Sequence, residues 1–126
     1  MPRVSAAFFA IGVLCLVTGM VWGMIMGNSE NFILAPAHAH LNLLGWVTMA
    51  IYGTFYALTR ETLSPRLAWT NLVLAVLGVL VMIPSLAMYL TGAVQYGPGI
   101  AVGSVLSFLA LLVFGVSVAR ALMRAR

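Results

Sequence analysis

Long apolar runs alternate with short polar joins along this chain. Four runs hold roughly 20 or more mostly apolar residues, the length that crosses a bilayer at about 1.5 Å per helical residue. They cover residues 5–26, 37–59, 67–90 and 99–122. The joins carry turn signals: "GNSEN" at 27–31, "SPR" at 64–66 and "QYGPG" at 95–99. Pro36 stands where the second helix should begin, and its missing N–H costs nothing in a first turn. The pattern predicts an all-α, integral membrane bundle of four transmembrane helices. Residues 1–126 form one membrane domain with no separate soluble domain.

Composition agrees with the pattern. The chain has 126 residues, 63% hydrophobic and 6% charged, with mean hydropathy +1.13. A soluble domain of this size cannot bury so much apolar surface, because small folds leave much of their surface wet. Cys15 is the only cysteine, so no disulfide can form within the chain and packing must hold it together. The first apolar run follows Arg3 and continues to about Met26. It is too long for a signal core and lacks a small-x-small cleavage site directly after it, so it is expected to stay as an anchor.

Charge sets the expected orientation. The net charge is +4, and all six basic residues are arginines: Arg3, Arg60, Arg66, Arg120, Arg124 and Arg126. They fall at the N-terminus, in the second join and at the C-terminus, which argues against a nucleic-acid surface. The positive-inside rule then puts both termini in the cytoplasm, with the first and third joins outside. A cell inner membrane, crossed several times, is the expected location.

His38 and His40 are the only histidines, and they open the second helix near the outer surface. Two residues apart on a helix are about 200° apart around its axis. The two imidazoles therefore face opposite sides, and cannot pinch one ion as histidines four apart do. Nor can they supply both axial ligands to one haem. Below His38 come Asn42, Gly45, Met49, Tyr52 and Tyr56, a stripe too polar for lipid. It is expected to face a protein interior or a cofactor space. Gly45 would let a flat group approach the backbone, and Asn42 would hydrogen-bond a ligand or a neighbouring helix. Below His40 come Leu44, Val47, Thr48 and Ile51, which read as ordinary packing. One reading leaves both histidines half hydrated at the interface, with Trp46 and Tyr52 as packing. The other makes them ligands of a metal or a haem, since neutral imidazole is the commonest metal ligand.

"HAHLNLLGWVTMAIYGTFYAL" (His38–Leu58) resembles the second transmembrane helix of the haem–copper oxidase subunit I superfamily and its nitric-oxide-response relatives. In that family a histidine near the outer end precedes a glycine–aromatic pair and an apolar run. The resemblance covers about a sixth of the chain. It implies a haem-binding protein for electron transfer or diatomic gas (O2 or NO) chemistry. His38 and His40 would be the metal ligands, with Asn42, Gly45 and Met49 beside the cofactor. Haem b is the implied type, since no C-x-x-C-H attachment site exists. The family's large subunit has twelve helices in three arcs of four, and its tenth helix carries a similar H-x-H pair. Three copies of this chain would regenerate that body. The resemblance thus implies a homotrimer in which His38 of one chain and His40 of the next hold each haem, served by a redox partner. The departures limit the activity. There is no third histidine for copper, no aspartate, and Glu30 and Glu61 lie in joins. The chain is expected to be oxidoreductase-like if it is an enzyme, without full terminal oxidase activity.

Other features bear on the alternatives. Met20, Met24 and Met26 on the first helix and Met88 on the third collect near the outer end. Thioethers suit Cu(I), so a copper-binding or copper-handling protein is the second reading, although methionine more simply fills gaps in cores. A non-catalytic membrane interaction subunit is the third. Small residues recur every four positions at Gly19, Gly23 and Gly27 and at Gly99, Gly103 and Ser107, which predicts close helix–helix or subunit contacts. Pro84 should kink the third helix and widen the space beside the second. Tyr89, Tyr96 and Trp22 fit an outer aromatic belt and Trp69 an inner one. Ser104, Ser107 and Ser117 are expected to bond to their own helix.

Overall fold

The computed structural model describes residues 1–124; Arg126, one of the six arginines used for orientation, lies outside the described residues. The described chain is four antiparallel helices without strands, each long and apolar enough to cross a membrane: Arg3–Ser29, Ala35–Leu58, Pro65–Leu90 and Val94–Arg124. These bounds extend the expected runs by two to five residues at six of the eight ends, because polar residues of the joins still complete helical turns, while the second helix ends one residue early. Pro36 and Pro65 sit in the first turns of their helices, where a missing N–H is tolerated. Gly27 does not end the first helix. The chain stays helical to Ser29, and Glu30 takes the left-handed conformation at φ 53°. Gly97 and Pro98 likewise lie inside the fourth helix, after a short 3₁₀ turn at Val94–Tyr96 and a left-handed Gly92 at φ 103°.

Two hairpins build the bundle, and each closes where glycine admits a partner side chain. Between the first and second helices, a Cβ on Gly12 would lie 3.1 Å from Trp46 Cε3, and one on Gly23 would lie 3.0 Å from His38 Cε1. Gly45 answers from the second helix: a Cβ there would lie 2.7 Å from Cys15 Cβ. Between the third and fourth helices, Gly78 meets Ser107 Oγ and Gly103 lies against the Met82 backbone. The small-residue stripes are therefore contacts within the chain, except that Gly27 has nothing within 4 Å of its Cβ position. In lipid, this close approach supplies the dispersion contacts that hold helices together.

The two hairpins lock through an aromatic cluster at the arginine-rich end. Phe8 stacks on Tyr56 with ring centroids 5.8 Å apart and meets Tyr52 edge-on at the same distance. Phe114 of the fourth helix closes on Tyr52 at 4.5 Å. Tyr56 Oη and Ser117 Oγ are 3.3 Å apart, and buried Asn71 donates from Nδ2 to the Ala110 carbonyl at 2.8 Å. Those polar bonds fix the register of the fourth helix against the second and third.

The third helix runs unbroken through Pro84. A cavity of about 280 Å³ does lie beside Pro84, between Thr18, Trp22, Leu41 and Ile83. Tyr89, Tyr96 and Trp69 are exposed, and Trp22 is half-buried against the second helix. Ser104 and Ser117 bond to carbonyls four residues back in their own helix, at 2.8 and 3.3 Å.

Gly103→Leu tests this packing. Its Cβ would come within 2.6 Å of the Met82 amide nitrogen, and backbone cannot swing aside. The variant should lose about 1–3 kcal/mol, read as a lowered melting temperature in detergent. Gly27→Ala and Gly115→Ala, with no neighbour within 4 Å, should melt like the parent chain.

Candidate functional site

The second helix is not uniform. An α-helix at Ala35–Asn42 passes into a π-helical stretch at Leu43–Thr48 and returns to α-helix at Met49–Leu58. The wider π turn changes which residues share a face. Leu41, Gly45 and Met49 are all buried, although steps of four drift by about 40° each on an α-helix. The combined drift of about 80° still lies within one buried face. Such turns are rare and recur at functional sites. The sequence gives no sign of it beyond Gly45.

His38 turns inward. Its ring is half-buried in the interface with the first helix, edge-on to Trp22 with centroids 6.5 Å apart, over Gly23. Asn42, one turn on, donates from Nδ2 to His38 Nε2 at 3.2 Å. The ring proton then sits on Nδ1, which is buried and lacks a partner. Asn42 Oδ1 is also buried and unpartnered, pressed against Gly19. An unpaired buried polar group costs about 1–3 kcal/mol, so the pair is held by packing at some expense.

His40 turns outward. Its ring is exposed, and Nδ1–H donates to the Pro36 carbonyl at 2.7 Å. This bond fixes the tautomer: Nε2 carries the lone pair and faces away from the bundle. A backbone carbonyl on the far nitrogen is how ligating imidazoles are commonly oriented and made more basic. Proline at 36 and histidine at 40 are four apart, so this contact was open to sequence reasoning and was missed.

The remaining candidates separate. Gly45 is filled by Cys15, and Met49 is fully buried in the core with Tyr52 and Tyr56. His38 and Asn42 are brought together, while His40 stands on the other side of the helix. Leu44 and Thr48 line a cleft of about 280 Å³ between the second and fourth helices, whereas Val47 and Ile51 are exposed. Met26 is buried, and Met20, Met24 and Met88 are exposed on helix surfaces. Among the described residues, no group of three or more His, Cys, Asp or Glu could hold a metal ion.

The two rings should differ in reactivity. Diethyl pyrocarbonate acylates neutral imidazole, so His40 should be modified well ahead of His38 in detergent-purified protein, scored by peptide mass spectrometry. Asn42→Ala should free His38 Nε2 and narrow the gap. Equal rates in the unmodified chain would mean that His38 is not held as described. No protein-family model, curated protein or solved structure matches the chain.

Proposed function

We propose that the chain is a haem-binding integral membrane protein resembling haem–copper oxidase subunit I, working in electron transfer or diatomic gas chemistry. The observation that carries this reading is His40: an outward imidazole, anchored at Nδ1 by the Pro36 carbonyl, with Nε2 left to bind. His38 supports it from the opposite face, where Nδ1 and Asn42 Oδ1 are polar atoms without partners. For His38 to bind metal through Nε2, its bond to Asn42 must be exchanged for the metal. A bound haem b would supply a one-electron iron couple or an open position for a gas. The chain's residues would orient the two imidazoles and, through Trp22 and the neighbouring apolar side chains, keep water from the His38 side.

Neither histidine lines one of the larger cavities within the bundle. A flat macrocycle on His40 would lie on the outer face of the second helix and need a second copy to cover it. This supports the homotrimer, with His38 of one chain and His40 of the next at each haem. The arginine-rich end would face the cytoplasm, placing the histidines near the outer surface of a cell inner membrane. Exposed Met20, Met24 and Met88 favour copper as the second reading.

The visible spectrum of detergent-purified protein separates these. A sharp Soret band with resolved α and β bands on reduction is expected. A colourless preparation containing copper would favour the second reading, and one containing neither metal would leave an interaction subunit. In the bridged trimer, His38→Ala and His40→Ala should each leave every haem site five-coordinate or empty. A normal six-coordinate spectrum in either variant, or a haem-loaded monomer in native mass spectrometry, overturns the bridge. Orientation has its own test: a reporter active only in the cytoplasm, fused to the C-terminus, should be active, and silence on well-expressed protein refutes the topology.

A further inference from the structure

The end of the bundle opposite the histidines carries a groove that the haem reading leaves unused. It lies between the ends of the second and fourth helices and the join after the second, with a volume of about 770 Å³. Arg60, Glu61 and Arg124 stand at its rim. One N–H of Arg124 donates to the Thr62 carbonyl at 3.1 Å, which pins the guanidinium over the groove, and among the described residues its other donors have no partner. Arg120 lines a small polar void next to it, sharing Phe55, Thr59 and Thr62 with the groove. Among the described residues, the groove and the void beside it are thus lined by three arginines and one carboxylate. Below the rim the walls turn apolar: Leu58 is 81% exposed and Leu122 64%, with Val118 beside them.

This order, cationic at the helix ends and apolar toward the bilayer depth, matches one class of molecule. We propose that the groove binds an anionic phospholipid, its phosphate paired with Arg60 and Arg124 and an acyl chain laid along Leu58, Val118 and Leu122. Guanidinium pairs phosphate through two parallel N–H donors, and basic pockets between membrane helices recognise anionic headgroups. A soluble anion would gain nothing from the apolar walls. A second copy docked here about a twofold axis would bring the same arginines face to face. Neither objection applies to a lipid.

The test is competition in mixed micelles holding equal amounts of phosphatidylglycerol and phosphatidylcholine with matched acyl chains, read as lipid adducts in native mass spectrometry. The parent chain should carry phosphatidylglycerol in preference, and Arg60→Gln or Arg124→Gln should each cut that preference by roughly fivefold. Arg66→Gln, which removes the same charge from the same end but outside the groove, should leave it unchanged. Equal uptake of the two lipids overturns the site, and so does an Arg66→Gln loss as large as that of Arg60→Gln, which would mean a diffuse surface field. Inorganic phosphate at millimolar concentration should not displace the adduct; displacement would mean a phosphate site without lipid specificity, and overturns the proposal as stated. An unchanged melting temperature of Arg60→Gln in lipid-free detergent confirms that any lost preference is not lost folding.

Discussion

Close approach at glycine is the constraint on which this bundle depends. Apolar side chains gain nothing by leaving lipid tails for one another, so helices in a membrane associate through packing and a few polar bonds. Here the first and second helices meet where Gly12, Gly19 and Gly23 receive Trp46, Asn42 and His38, and where Gly45 receives Cys15. Three of those four visitors are large or polar groups of the second helix. The same contacts that join the helices thus decide which way the second helix turns. With Asn42 and His38 seated on the first helix, His40 can only face out.

The π-helical stretch belongs to the same constraint. Leu41, Gly45, Met49, Tyr52 and Tyr56 lie within about 80° of one another around a helix, so one buried face carries both the glycine contact and the aromatic cluster. The cluster fixes the arginine-rich end, through Phe8, Tyr52, Tyr56 and Phe114. The glycine contacts fix the histidine end. The π-helical stretch Leu43–Thr48 lies between these anchors. On one side of this stretch Gly45 and Trp46 pack on the first helix, and on another Leu44 and Thr48 border the cleft to the fourth helix.

Much of this was legible in the sequence. Four apolar runs gave four helices, because hydropathy over 20 residues averages out local detail. The polar stripe from His38 to Tyr56 gave the inward face, since Gly45, Met49, Tyr52 and Tyr56 are all buried. The opposed directions of His38 and His40 followed from helical geometry alone. What was not legible depends on partners distant in sequence. That Gly45 would be filled by Cys15, and that Trp22 would lie edge-on to His38, are facts about two helices at once. The helix ends also moved outward, because Gly27, Gly97 and Pro98 are turn formers only when nothing favours another helical turn.

The two histidines are chemically unequal, and their partners make them so. His38 spends Nε2 on Asn42 and buries an unpaired Nδ1. His40 spends Nδ1 on a backbone carbonyl that is always present at the start of a helix, and keeps Nε2 free. No side-chain substitution elsewhere removes that carbonyl, so the acceptor for His40 is present as long as the helix starts at Ala35. Asn42 is held only because Gly19 leaves room for its amide, and a single added methyl on Gly19 would collide with it. His38 is therefore the ring whose hydrogen-bond partner depends on a side chain and on the room that Gly19 leaves for it. In a site built from both, His40 would hold its position while His38 exchanged one partner for another, and the ease of that exchange would be set by Asn42 and Gly19, not by either imidazole.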